Sequence, residues 1–404
     1  MAEPLRPSTR DGLEVQGRAR IAATKVNVFT FDAHRKTRSC GLGVRSPSQA
    51  QHQPGSVSLV VVCFNNAAFI ADAIESALAQ SQPPHEIIVV DNGSTDGSAE
   101  ILSHYAAQEP LIRACFLTSN DGPGIARNHG LANATGDYVM FLDGDDLLEP
   151  HAIAAAVSAA AAEDADIVQF AYRRCGEDSA ACQSAPPAAE ARDGDAARLA
   201  MLRGSPAVWT RLYRRDLLTR VNEPFKPGIY EDIPWSAKYI LEAQTPVIIS
   251  APLVRHRVYR HSTIKARHAA HADFAEALNE LVGVMRSSLP AHWDRREVGE
   301  IAIYRVRKFL PNVLLRTGVR NWLGITVRLD RVLAGLAEPE LSGISPLLTG
   351  RPDWRSRLGR LLFWQDNGWR AVARGACKLL QAARDSNRLP AARNDLAERP
   401  PTHS

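Results

Sequence analysis

The chain lacks any run of 18 apolar residues, so no helix able to span the ~30 Å bilayer core is expected. Nothing near Met1 resembles the apolar core of a signal peptide. Lysine is scarce, with 7 of the 48 basic residues. The net charge of +4 over 404 residues is too small to imply wholesale nucleic-acid binding. Six cysteines, at positions 40, 63, 115, 175, 182 and 377, include no Cys-x-x-Cys, which argues against a zinc site. Cys63 and Cys115 fall in apolar runs where a free thiol behaves as a small hydrophobe, and a reducing cytoplasm is the expected compartment. Charged residues at 23% and hydrophobic ones at 45% exclude a disordered chain.

What is present is a carboxylate run. Residues 138–146 read Tyr-Val-Met-Phe-Leu-Asp-Gly-Asp-Asp. An apolar strand leads straight into Asp143, Asp145 and Asp146, which repel one another unless a cation sits between them. The simpler reading is an acidic turn that stops a strand.

The pattern has precedents upstream. Val57–Phe64 is a near-continuous apolar run suited to a strand buried on both faces. Ile70, Ile74, Ala77 and Leu78 then fall at helical spacing. Glu86–Val90 is a second strand, ending in the cap-rich Asp91-Asn-Gly-Ser-Thr-Asp-Gly97 turn. Ile101, Leu102 and Tyr105 mark a helix, Arg113–Leu117 a weaker strand, and Pro123–Gly130 opens another helix. Alternating strands and helices predict an α/β, mostly parallel sheet with helices on both faces. Ligands of such sheets sit outside the carboxyl ends of the strands, where both Asp91 and Asp143 fall.

Four segments in order, Val60–Asn66, Val89–Asp96, Gly124–Gly130 and Phe141–Asp146, resemble the motifs of the family-2 glycosyltransferases. The resemblance covers roughly Val57 to Lys265. It implies an inverting, metal-dependent enzyme of the Rossmann-like GT-A fold that uses a nucleotide-diphospho-sugar. Val62 stands where the family commonly has proline, and Asn92 where a second Asp is frequent. These departures bear on the nucleotide more than on the fold. The resemblance assigns Asn66, Asp91 and Arg127 to the nucleotide, and Asp143 and Asp145 to the sugar-ribose edge and a Mg or Mn ion. A helix-surface salt bridge is the simpler role for Arg127.

An inverting transfer needs a base to take the acceptor proton. Tyr230-Glu-Asp232 resembles the family's base motif, with Asp232 as base and Glu231 as the carboxylate that positions the acceptor. Asp232 ahead of Pro234 also reads as a helix start. The stretch Val254–Ser262 is similar to a basic segment that closes over the diphosphate, with Arg257 and Arg260 the best matches. His256 or His261 would complete a metal shell less readily than serve structurally.

Residues 1–55 read as a flexible segment, 56–268 as the GT-A domain, 269–389 as a helical C-terminal region and 390–404 as a disordered tail. Cys175–Ala197 reads as a loop. Helical breaks are expected near Pro290 and Pro311. Between 301 and 388, 16 Lys and Arg face 6 Asp and Glu. Trp354, Phe363, Trp364 and Trp369 are interleaved there, which suits either peripheral contact with an anionic membrane or a bundle with a solvated basic face.

The resulting expectation is a cytoplasmic enzyme that moves a sugar to a hydroxyl of a glycan or lipid-linked acceptor, with no nucleic-acid partner. A nucleotidyltransferase making an activated sugar shares the architecture but normally carries a Gly-rich basic loop, where this chain has Asn65-Asn-Ala-Ala68. A non-catalytic nucleotide- or glycan-binding module is the third class.

Overall fold

The computed structural model describes residues 54–176, 182–185, 191, 194–259 and 269–317, with isolated positions between 325 and 336. The first half alternates: β1 (Val57–Cys63), α1 (Ile70–Leu78), β2 (Glu86–Asp91), α2 (Ser98–Gln108), β3 (Ile112–Phe116), α3 (Pro123–Asn133) and β4 (Tyr138–Asp143). Every residue of β1 is buried. An all-apolar strand has no water-facing side, so it is driven to the middle of a sheet covered on both faces. It lies between β2 and β4, parallel to both. Ile70, Ala73, Ile74 and Ala77 form the buried stripe of α1, the spacing of one helix face. Pro123 opens α3 at a position where its missing N–H costs nothing.

The second half comprises β5 (Leu147–Leu148), α4 (Ala152–Ala162), β6 (Ile167–Cys175), β7 (Cys182–Ala185), α5 (Gly194–Arg203), β8 (Arg211–Arg214), α6 (Arg215–Val221), α7 (Asp232–Glu242), β9 (Pro246–Arg257), α8 (Asp273–Ser288) and α9 (Arg296–Arg316). The strands form one sheet in the order β3-β2-β1-β4-β8-β6-β9-β5, with β7 on the edge of β6. The parallel run stops at β4, because β8 enters antiparallel to both β4 and β6. The register pairs Cys63 with Asp91 and Val62 with Asp143. Both acids therefore leave the sheet at the same end, two strands apart, or roughly 10 Å.

Three sequence expectations need correcting. Cys175–Ala197 is not simply a loop: it holds β7 and the start of α5, and a disulfide joins Cys175 to Cys182. The Cys-Gln-Ser-Ala strand is largely exposed, so it has no hydrophobic alternation to read. Disulfides persist in oxidising compartments, so cysteine usage gives no support to a reducing one. Pro290 does separate α8 from α9, but α9 runs through Pro311. Buried Leu310, Val313 and Leu314 hold the turns on either side of it, which offsets the one lost i→i−4 hydrogen bond. Among the described residues no helix is long and apolar enough to cross a membrane. Arg260, His261 and the basic segment 351–384 lie outside the described residues.

Candidate active site

Asp91 ends β2 and is 3% exposed. Its Oδ2 accepts the Ser94 N–H at 3.2 Å, while Oδ1 is buried without a partner. Burial pushes this carboxyl up from its ordinary range. The loops after β1 and β2 are laced together. Asn65 N–H donates to Ser94 Oγ (2.9 Å), and Asn65 Oδ1 accepts from Thr95 N–H (2.8 Å). Asn66 Oδ1 accepts from Phe64 N–H at 3.0 Å, and its carbonyl accepts from Phe69 and Ile70, starting α1. The structure thus gives Asn66 a turn-shaping role.

The β4 end brings Asp143, Asp145 and Asp146 together, with one carboxylate oxygen from each within 4.8 Å of the others. Gly144 makes this possible, since a Cβ there would lie 2.9 Å from the Val62 carbonyl. Asp146 is fully buried and already satisfied: Arg257 N–H donates to it at 2.9 Å and His256 Nδ1 lies 3.0 Å away. His256 in turn stacks on Trp209, with ring centroids 5.0 Å apart. Through Nδ1 it braces Asp146. Asp145 is different. Burial first, then Asp146 and Asp143, push its carboxyl up to about 7. Carboxylates that resist ionising side by side fit a divalent cation, which takes oxygen ligands and neutralises them.

Arg127 links this end to a second acidic pair. It projects from α3, and Nη2 donates to Asp143 Oδ1 (2.9 Å) while Nη1 donates to Glu231 Oε1 (2.5 Å). The guanidinium also lies 5.7 Å from the Phe225 ring centroid, and its Nε has no partner. It is buried between two carboxylates, not a surface salt bridge. Glu231 is buried. Desolvation, with Asp232 and Asp143 nearby, pushes it up to about 7 against the pull of Arg127. Asp232 opens α7, and its carboxylate has no hydrogen-bond partner among the described residues. Burial raises it too, while the Arg127, Arg305 and Arg211 charges pull the other way.

Arg257 pairs with an acid on α1. Its Nη2 donates to Asp72 Oδ2 at 2.6 Å, and the group sits 5.2 Å over Phe69. Its guanidinium therefore braces α1 against the acidic loop.

Arg211 and Arg305 escaped the sequence reading. Arg211 is 0% exposed and donates to Gln169 Oε1 (2.8 Å) and the Ser205 carbonyl (2.5 Å). Arg305, from α9, is 3% exposed and donates to the Leu202 (2.6 Å) and Gly204 (2.9 Å) carbonyls. Together they satisfy the carbonyl-rich end of α5. Neither has a carboxylate within ion-pair distance among the described residues, and burial lowers Arg305 to about 10. A signal existed: Arg305 falls on the stripe of Val298, Ile301 and Ala302, where an apolar residue was due.

The α3 start and the Glu231 loop meet at Gly124. A Cβ there would lie 2.7 Å from Glu231 Cγ and 2.8 Å from the Lys226 carbonyl. Gly124→Ala is expected to destabilise the fold by about 1–3 kcal/mol through overpacking, read as a lower melting temperature. An unchanged melting temperature would mean that the loop gives way freely.

Residues 58–220 match the family model described as Glycosyl transferase family 2. Over that span, which is less than half of the chain, the sequence is similar to the family 2 glycosyl transferases. The model stops before Glu231 and Asp232, so the second acidic pair lies outside the matched span. The uncharacterized glycosyltransferase YibD of Escherichia coli K12 is 30% identical over 223 residues, 52% of this chain and 63% of YibD. The putative teichuronic acid biosynthesis glycosyltransferase TuaG of Bacillus subtilis is 42% identical over 90 residues, 22% of this chain and 36% of TuaG. The chain thus spans less than two thirds of these relatives' length. The chain also superposes on S. aureus TarS 1-349, solved in complex with UDP-GlcNAc. The TM-score is 0.64 over 81% of this chain and 92% of that one. At 18% identity the likeness is one of fold, the GT-A arrangement.

Proposed function

We propose that this protein transfers a sugar from a nucleoside-diphosphate donor to a hydroxyl of a glycan or lipid-linked acceptor, with inversion at the anomeric carbon. One observation carries the reading. Arg127 joins Asp143, at the carboxyl end of β4, to Glu231, beside Asp232, so one buried guanidinium ties the two acidic pairs together. A UDP-sugar is the favoured donor class, because TarS was solved with UDP-GlcNAc. The relative named for teichuronic acid biosynthesis favours a cell-surface polysaccharide as acceptor.

The residues divide the work. The unpartnered, buried Asp91 Oδ1 suits a donor group on the nucleoside base. Asp143 and Asp145 would hold Mg or Mn, which when bound neutralises charge on the diphosphate. Asp232 takes the proton of the acceptor hydroxyl as that oxygen attacks the anomeric carbon. The bond from that carbon to the diphosphate breaks, and its electron pair leaves on the phosphate oxygen. Arg127 fixes Glu231, which orients the acceptor. The nucleotidyltransferase alternative would release pyrophosphate rather than a nucleoside diphosphate, so product analysis across a nucleotide-sugar panel separates the two.

Asp145→Asn tests the metal assignment. Calorimetry with UDP and Mn²⁺ is expected to show at least a roughly tenfold loss of affinity in the variant, because one charged oxygen ligand is gone. With chelator present, variant and parent should bind UDP alike. Equal Mn²⁺-dependent binding would remove Asp145 from the metal site.

A further inference from the structure

We infer that the C-terminal helices lock the acidic segment 228–232 into its working shape, with Tyr230 as the positioning residue. The inference rests on the proposed role of Glu231 and Asp232. Tyr230 has φ +70°, a left-handed conformation that an aromatic residue adopts only when its surroundings enforce it. Its carbonyl accepts the Ile233 N–H at 3.1 Å, forming the first turn of α7. Relaxing Tyr230 to an ordinary φ would therefore swing Glu231 and Asp232 away from Arg127.

The enforcement comes from beyond α7. The Tyr230 hydroxyl and His271 Nδ1 share a buried hydrogen bond of 2.8 Å. The Tyr230 ring packs edge-on against Phe274 of α8 (5.4 Å) and Phe309 of α9 (6.1 Å). Gly228, at φ +107°, abuts Asp273: a Cβ there would lie 2.8 Å from its Oδ2. A Cβ on Gly122 would in turn lie 2.8 Å from the Gly228 carbonyl. The segment is thus clamped between the start of α3 and the start of α8. The Tyr230 side chain is engaged by His271, Phe274 and Phe309, so it acts through its two neighbours.

Tyr230→Phe keeps the ring and removes the hydroxyl; His271→Leu removes the same bond from the other side. In the full chain, UDP release from UDP-GlcNAc with Mn²⁺ is expected to fall roughly ten- to a hundredfold in kcat for each. KM for UDP-GlcNAc and calorimetric UDP affinity should stay unchanged. The double variant should lose no more than either single, because both delete one bond. Amide exchange at residues 228–233 should quicken in each variant without a change elsewhere, a readout that needs no donor. Unchanged exchange and kcat would overturn the lock. So would losses that multiply, or losses of UDP affinity and melting temperature in step with kcat. Asp232→Asn, assayed alongside, keeps the two readings apart. Normal turnover there refutes the base, whereas an inactive Asp232→Asn beside a normal Tyr230→Phe refutes only the lock.

Discussion

Asp232→Asn is expected to cut sugar transfer by ~10²–10⁴-fold and leave UDP binding intact. The carboxylate opens α7 with no hydrogen-bond partner among the described residues, so its lone pairs are free to take a proton. The helix start favours its charged form, while burial opposes it and raises its pKa. Glu231 is pushed up to about 7. The rate should therefore fall as pH drops below neutrality, with an acidic limb well above the ordinary carboxylate range. Stability runs the other way. A carboxylate with a raised folded pKa binds its proton more tightly folded than unfolded, so its contribution is full at low pH and is lost as pH rises through the folded value. Kinetics and melting from pH 5 to 8 should thus show opposite slopes. If Asp232→Asn turns over normally, Glu231 is the next base to test.

The parallel half was legible because its strands are buried on both faces, so β1 and β4 read as unbroken apolar runs. The acids at their ends were legible because strand ends in such sheets are where ligands gather. β8 was not: Arg-Leu-Tyr-Arg has no alternation, and Arg211 at its start is buried by hydrogen bonds to carbonyls and Gln169 rather than by an apolar side chain. Arg305 is hidden for the same reason, since charge in a basic helix is expected to face water. The resemblance assigns Asp143 and Asp145 and leaves Asp146 without a role; three-dimensional contact with His256 and Arg257 supplies one. Arg257 pairs with Asp72 on the first helix, 185 residues away, which no local pattern announces.

Arg127→Ala is expected to destabilise the fold by about 3–5 kcal/mol, because removing one partner leaves buried charge uncompensated. The buried partner is Glu231; Asp143 is more exposed and contributes less. For a fold of this size each kcal/mol lowers Tm by about 2–4 °C, so a drop of roughly 10 °C is the expected order. The deficit should shrink at pH 5–6. Glu231, already pushed up to about 7 beside Arg127, rises further without it and takes a proton instead of remaining an isolated anion. Arg127→Lys should recover only part of the loss. Nη1 and Nη2 reach two different carboxylates at once, and a single ammonium cannot span both in that geometry. Thermal melts of the parent and both variants at pH 5.5 and 8 decide the matter. Equal melting temperatures at pH 8 would mean that water, not Arg127, satisfies Glu231, and the link between the two acidic pairs would have to be abandoned.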